Sequence, residues 1–173
     1  EGVPFILSRN RSYLAHDPGL GKTAQFICAV NTKPGPCLII CPAFLKGTWV
    51  REITKWSIQD FPHIVVLETK EQMENMSHGS FDFVIVSDAI VSRPWVLEFL
   101  GTLQFRFVCI DEAHRFKTPH SQRAVAVFGG KLAREKRPPL VSKGLVYKAE
   151  HVVCLSGTPI LNRPFELWPV LFA

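Results

Sequence analysis

No apolar run in this 173-residue chain is long enough to cross a bilayer as a helix. Its first residues also lack the basic segment and apolar core of a secretion signal. Membrane-spanning and exported classes are set aside, and an intracellular, soluble protein is the expectation. Also missing is any CxxC pair or Cys/His ligand spacing: Cys28, Cys37, Cys41, Cys109 and Cys154 all sit in apolar stretches. Cys37 and Cys41 fall on one predicted strand, where residues so spaced lie far beyond disulfide reach. A metal finger and a disulfide scaffold are thereby disfavoured, and reduced core thiols are predicted. No internal repeat or low-complexity tract occurs.

What is present suits one globular domain with a real core, at 47% hydrophobic and 20% charged residues. The chain starts at Glu1 rather than a methionine and stops at Ala173 after an apolar, helix-like stretch. It is expected to be a segment of something longer. The net charge of +5 is local. Between Gly130 and Ala149, Lys131, Arg134, Lys136, Arg137, Lys143 and Lys148 face a single acid, Glu135, and the rest of the chain is balanced. Such a segment either attracts nucleic acid or is a solvated surface loop.

Short apolar runs alternate with longer helix-like stretches, the pattern of repeated βα units around a mostly parallel sheet with helices on both faces. Predicted strands are Ser12 to Ala15, Cys37 to Cys41, Ile64 to Leu67, Phe83 to Val86, Phe107 to Ile110 and Val152 to Leu155. From Lys46 to Trp56, the residues Trp49, Ile53 and Trp56 recur at helical spacing, while Arg51, Glu52 and Lys55 fall elsewhere on the wheel. An amphipathic helix packed on the sheet follows. Pro34 to Pro36 and Arg137 to Pro139 mark turns.

Two strand ends carry chemistry. Leu14-Ala-His-Asp-Pro-Gly-Leu-Gly-Lys-Thr23 lies between a predicted strand and the helix-like stretch Ala24 to Val30. Gly19 and Gly21 let the backbone turn so that its N–H groups face phosphate oxygens, reinforced by the positive end of the helix. Lys22 is expected to reach the β and γ phosphates and Thr23 to place its hydroxyl on Mg²⁺. The predicted ATP-binding residues are His16, Asp17, Gly19, Leu20, Gly21, Lys22 and Thr23. Where the common GxxxxGK[ST] pattern opens with glycine, this chain has His16. The second site is Phe107-Val-Cys-Ile-Asp-Glu-Ala-His114, a buried-strand run that delivers two carboxylates to its C-terminal end, where open α/β sheets bind ligands. Asp111 is expected to hold Mg²⁺, and Glu112 to orient and deprotonate the attacking water.

With these motifs in place, the sequence resembles the first motor lobe of the Swi/Snf-type DNA translocases, a branch of the superfamily-two helicases, along almost its whole length. The carriers are LAHDPGLGKT (Leu14 to Thr23), LIICPAFLKGTWVREITKW (Leu38 to Trp56), VIVSDAI (Val84 to Ile90), CIDEAHRFKT (Cys109 to Thr118) and LSGTPILNRPFELWPVL (Leu155 to Leu171). Ser156-Gly157-Thr158-Pro159 stands where many other helicase branches carry a Ser-Ala-Thr type motif. Arg163 to Leu167 is similar to the branch that includes annealing helicases.

The resemblance implies an α/β, RecA-like P-loop NTPase lobe over residues 1–173, with a basic insertion at about 130–149 and the second lobe absent from this chain. It implies Lys22 and Glu112 as catalytic residues, with ATP and Mg²⁺ as cofactors. His114, Ser156, Gly157 and Thr158 are implied to couple nucleotide state to the bound strand. Pro42, Ala43, Phe44, Lys46, Ser87 and Asp88 are implied to contact double-stranded DNA through its backbone, without sequence reading. Phe44 could instead be core, Ser87 a turn cap and Lys46 a solvated charge. The family's acidic pair and methionine are replaced by His16-Asp17-Pro18, so Pro18 is expected to stiffen the loop. An adenine-reading glutamine is expected upstream of Glu1. The implied function is ATP hydrolysis that drives movement along DNA once the second lobe, with its arginine finger, is joined. A drifted binding module, an RNA helicase and a restriction-type motor are the alternatives.

Overall fold

The computed structural model describes residues 2–76, 81–130 and 143–158. Within them six strands form one sheet: β1 (Arg11–Leu14), β2 (Cys37–Cys41), β3 (Ile64–Leu67), β4 (Phe83–Ser87), β5 (Phe105–Asp111) and β6 (Ala149–Leu155). Their spatial order is β1-β6-β5-β2-β4-β3, and every pairing is parallel. The α-helices are α1 (Gly2–Leu7), α2 (Lys22–Thr32), α3 (Lys46–Trp56), α4 (Lys70–Met76), α5 (Pro94–Thr102) and α6 (Gln122–Phe128). None of the described helices is long and apolar enough to cross a membrane.

Parallel strands covered on both faces must be apolar along their length, and β2 and β4 are buried at every position. Alternate side chains feed two cores. One holds Leu38, Ile40, Val84, Val108 and Ile110 against Val96 and Leu100 of α5 and Ala124 and Val127 of α6. The other holds Ile39, Ile85, Cys109 and Val153 against Ile6, Phe26, Ile27, Trp49 and Ile53 of α1, α2 and α3. The α/β architecture with helices on both faces is thus as the apolar rhythm predicts.

All six predicted strands form, with differences at their polar ends. β5 begins at Phe105 and β6 at Ala149 because these residues pair with each other, and Phe107 pairs with His151. Arg106 and Glu150, which lie outside the predicted strands, join Lys33 in an exposed ion-pair group. Ladder partners therefore override local composition. The helix predicted over Lys46 to Trp56 has those bounds, with Trp49 and Ile53 buried. Trp56 is instead 41% exposed at the helix end, where its indole N–H donates to Glu52 at 2.9 Å. The cysteines are free, four of them buried and Cys28 half-buried. Burial pushes the Cys41 and Cys154 thiols up to about 12.

All six parallel strands deliver their carboxyl ends to one edge of the sheet. Leu14 and Asp111 both lie level with Leu155, and Cys41 lies level with Ser87. The segments that leave this edge are those singled out from sequence.

Candidate functional site

β1 ends at Leu14, whose carbonyl accepts from the Ser156 amide at 3.2 Å, and the chain then loops to α2. Gly19 and Gly21 have φ of +86° and +68°, a left-handed conformation that costs a side-chain-bearing residue energy. Nothing lies within 4 Å of a Cβ built at either glycine, so the requirement is conformational rather than steric. Gly21 is the N-cap of α2 and no side chain caps it. The first amides of this eleven-residue helix are therefore free to bind an anion. The Lys22 ammonium turns back over the loop and donates to the carbonyls of His16 (2.7 Å) and Asp17 (3.1 Å). Gln25 donates to the Leu20 carbonyl at 2.9 Å, splinting the far side.

Facing this loop across a cleft of about 440 Å³ is the end of β5. Its walls include Lys22, Thr23, Thr48, Trp49, Asp111 and Glu112, and its volume is of the size that holds small-molecule ligands. An edge-to-face stack of Phe26 on Trp49 and on Phe107 fixes α2, α3 and β5 relative to one another. It also aims the Trp49 indole N–H at Asp111 Oδ2, 2.8 Å away. Asp111 Oδ1 accepts from the Glu112 amide at 2.9 Å. Burial holds the Asp111 carboxyl above the usual range, opposed by the Trp49 hydrogen bond and raised further by the charge of Glu112.

A half-buried carboxylate of this kind gains from a cation. Among the described residues no three acidic, histidine or cysteine side chains gather as a closed metal cage. One carboxylate, one threonine hydroxyl and a loop shaped for phosphate suit Mg²⁺ carried in with a nucleotide.

Glu112 is the only non-glycine with positive φ among the described residues, at +50°. Such backbone strain concentrates at functional sites. Its carboxylate is not free: Oε2 lies 3.1 Å from His114 Nδ1. His114 Nδ1 also lies 3.0 Å from Ser156 Oγ and 3.5 Å from Thr158 Oγ1, and Ser156 Oγ accepts from the Thr158 amide at 3.1 Å. The four residues expected to couple the site to a bound strand thus converge. Gly157 completes the set, because a Cβ there would come within 2.9 Å of Pro18 Cδ and Cγ. The loop after β6 therefore rests directly on the loop that carries Pro18, Gly19 and Gly21.

The segments expected to meet DNA leave the same sheet edge with mixed exposure. Phe44 is 77% exposed on the turn Ala43–Leu45 and is not core. Ala43 is exposed, Pro42 is buried and Lys46 is ion-paired with Glu68. Ser87 and Asp88 are each 3% exposed. Asp88 is held by Arg115 Nε at 2.6 Å and approached by Arg123 at 3.7 Å, so its carboxylate faces these arginines.

Lys131, Arg134, Lys136 and Arg137 of the basic segment lie outside the described residues, as does the block from Pro159 onward. Lys143 is exposed and Lys148 half-buried. Sequence reasoning assigned Trp49 to the core and missed its indole N–H as the partner of Asp111. It also missed the Glu112–His114 pair. A tryptophan on the buried face of a helix that follows β2 was the one available signal for the first.

A family model described as "SNF2-related domain" matches residues 1–173. The DNA annealing helicase and endonuclease ZRANB3 of Homo sapiens is 29% identical over 172 residues, 97% of this chain and 15% of that protein. The SWI/SNF-related matrix-associated actin-dependent regulator of chromatin subfamily A-like protein 1 of Bos taurus is 31% identical over 179 residues, 99% of this chain and 16% of that protein. The ISWI chromatin-remodeling complex ATPase ISW1 of Saccharomyces cerevisiae is 28% identical over 185 residues, 99% and 15%. The chain thus spans about one sixth of these relatives. Among solved structures, the Sulfolobus solfataricus SWI2/SNF2 ATPase core in complex with dsDNA covers 98% of this chain and 33% of its own, with a TM-score of 0.69 and 22% identity. That last likeness is one of fold.

Proposed function

Because the chain belongs to the SNF2-related domain family, we propose that it is the ATP-binding lobe of a DNA-dependent ATPase that moves along double-stranded DNA when joined to a second lobe. The observation that carries this reading is the shared cleft: an uncapped helix N-terminus with its lysine on one side, and a half-buried aspartate with a strained glutamate on the other. Phosphate chemistry needs both walls, since the anion must be gripped while water is aimed at it.

In this reading His16 to Thr23 cradle the phosphates of ATP, and Lys22 moves from the loop carbonyls to the β and γ oxygens. Thr23 and Asp111 hold Mg²⁺, which when bound neutralises charge developing on the transferred group. Glu112 orients the attacking water and takes its proton after leaving His114. His114, Ser156, Gly157 and Thr158 report the nucleotide state, since they touch both Glu112 and Pro18. Ala43 and Phe44 meet the DNA backbone directly, with Pro42 and Lys46 supporting that turn. Ser87 and Asp88 contribute through the main chain and through Arg115. The partner is duplex DNA held by its phosphates, inside the cell, and the second lobe supplies the arginine finger.

The drifted-module alternative is disfavoured by the positive-φ glycines and the lysine lodged at the loop's centre. Calorimetry of MgATP binding to the full-length protein tests the reading. Lys22→Ala is expected to abolish binding, and unchanged affinity would sink the phosphate-loop assignment. Turnover stimulated by duplex DNA but not by RNA is the accompanying result for the DNA track.

A further inference from the structure

One short stretch of chain, from Pro42 into α3, serves two surfaces. The turn Ala43–Leu45 runs without a break into α3, with Leu45 as its N-cap and the Leu45 amide donating to the Pro42 carbonyl at 2.9 Å. Phe44 is 77% exposed, while the next residue, Leu45, lines the cleft shared by Lys22 and Asp111. One helical turn further on, Trp49 lies on the same side of α3 and lines that cleft as well. The segment read above as facing DNA is therefore the start of one wall of the nucleotide site.

Trp49 is where that wall grips a carboxylate. Asp111 receives two N–H donors: the Glu112 amide on Oδ1 belongs to the neighbouring residue, whereas the indole on Oδ2 comes from α3. Trp49 is 1% exposed and stands edge-on to Phe26 of α2, with centroids 5.9 Å apart at 80°. Phe26 in turn stands edge-on to Phe107 of β5, at 6.0 Å and 89°. An indole packed in this way has no room to change rotamer, so its N–H moves only as α3 moves.

The bond it makes is sensitive to such movement. From 2.8 Å, a displacement of α3 by about 0.5 Å along the bond carries the N–H to the weak edge of hydrogen-bond range. Oδ2 then loses its donor while Oδ1 keeps its own, and the lone pairs that the carboxylate offers a cation change.

We propose that Trp49 is a positioning residue for Asp111 that ties this carboxylate to DNA occupancy of the Ala43–Leu45 turn, with α3 as the rigid element common to both. The link is separate from the contacts of His114, which join Glu112 to the loop after β6. It rests on the reading of Asp111 as the metal ligand and of the turn as a DNA contact. Such a link is reciprocal, so the metal–nucleotide complex changes DNA affinity by the same factor as DNA changes affinity for the complex.

The test uses the full-length protein and a non-hydrolysable ATP analogue, with affinity measured by calorimetry with and without saturating duplex DNA, once in Mg²⁺ and once in EDTA. In the unaltered protein duplex DNA is expected to change affinity for the magnesium complex about fivefold more than affinity for the metal-free analogue. Trp49→Phe keeps an aromatic ring against Phe26 and deletes the N–H donor, so the two forms of the analogue should then respond to DNA alike.

A second readout needs no nucleotide. With ¹⁵N-labelled tryptophan, the Trp49 indole N–H resonance, identified by its absence from Trp49→Phe, is expected to shift when duplex DNA is added. If Trp49→Phe does not fold, Asp111→Ala identifies the same resonance by removing its acceptor. An indole resonance indifferent to saturating duplex DNA overturns the link. So do equal responses of the two analogue forms in the unaltered protein, or a Trp49→Phe protein in which Mg²⁺ still enlarges the DNA effect. Failure of the unaltered protein to bind duplex DNA or the magnesium complex would instead remove the proposed function on which the link rests.

Discussion

Gly157→Ala probes the contact between the loop after β6 and the phosphate loop. The backbone at Gly157 is not in the left-handed region, so alanine is acceptable there on conformational grounds. The obstacle is packing, because the new methyl carbon would sit 2.9 Å from Pro18 Cδ and Cγ and 3.4 Å from its nitrogen. A proline ring has no rotamer into which to retreat. Either the Ser156–Thr158 turn or the loop carrying Gly19 must move.

Overpacking by one methyl group costs about 1 to 3 kcal/mol. Because Pro18 is exposed, the loop yields outward, and the cost falls on the nucleotide-ready geometry rather than on the core. MgATP affinity measured by calorimetry is then expected to fall about 5- to 150-fold, with a thermal midpoint that changes little. Pro18→Ala removes the opposing ring, so the double variant should recover most of the affinity as a coupling between touching residues. Equal MgATP affinity for Gly157→Ala and the unaltered protein, or strictly additive effects in the double variant, would refute the reasoning.

Two further outcomes follow from the same geometry. Trp49→Phe removes the hydrogen bond that opposes the burial-raised pKa of Asp111, so that pKa rises further. In the proposed reading Asp111 must ionise to hold Mg²⁺, so the acid limb of Mg²⁺-dependent nucleotide binding is expected to move to higher pH, and an unmoved limb would refute the assignment. A raised carboxyl also binds more protons folded than unfolded. Asp111 therefore favours the metal-free fold most below the unfolded carboxyl range, and that contribution is lost as pH rises through its folded value. At Asp88, Arg115→Ala removes the nearer counter-charge of a carboxylate 3% exposed and leaves the more distant Arg123, while Asp88→Asn leaves half-exposed guanidiniums that water can serve. Denaturant titration is expected to show the arginine variant as the less stable, by about 1 to 3 kcal/mol, and the reverse order would refute the clamp.

The legible part of this molecule is the part written in local pattern. Apolar β-branched runs at Cys37–Cys41 and Phe83–Ser87 mark themselves as buried strands, and Gly19, Gly21 and Lys22, set between a predicted strand and a helix-like stretch, match the pattern of a phosphate loop. The polar ends of β5 and β6 were not legible, since Phe105 and Ala149 join the strands by pairing across the ladder, and Lys33 meets Glu150 through an ion pair between distant segments. Phe44 and Trp56 carry the same apolar character as Phe26 and Trp49. Only packing sends the first pair to solvent and the second to the core.

The sequence by itself determined which chemical groups stand at the strand ends, because residue type and periodicity act over a few neighbours along the chain. Tertiary structure alone decided how those groups are engaged. Asp111 meets an indole from α3, Glu112 meets His114, Asp88 turns to Arg115, and Pro18 carries the loop after β6. Hydrogen-bond partners and close contacts depend on distances between residues tens of positions apart, and the strand order β1-β6-β5-β2-β4-β3 sets those distances. No local propensity encodes that order.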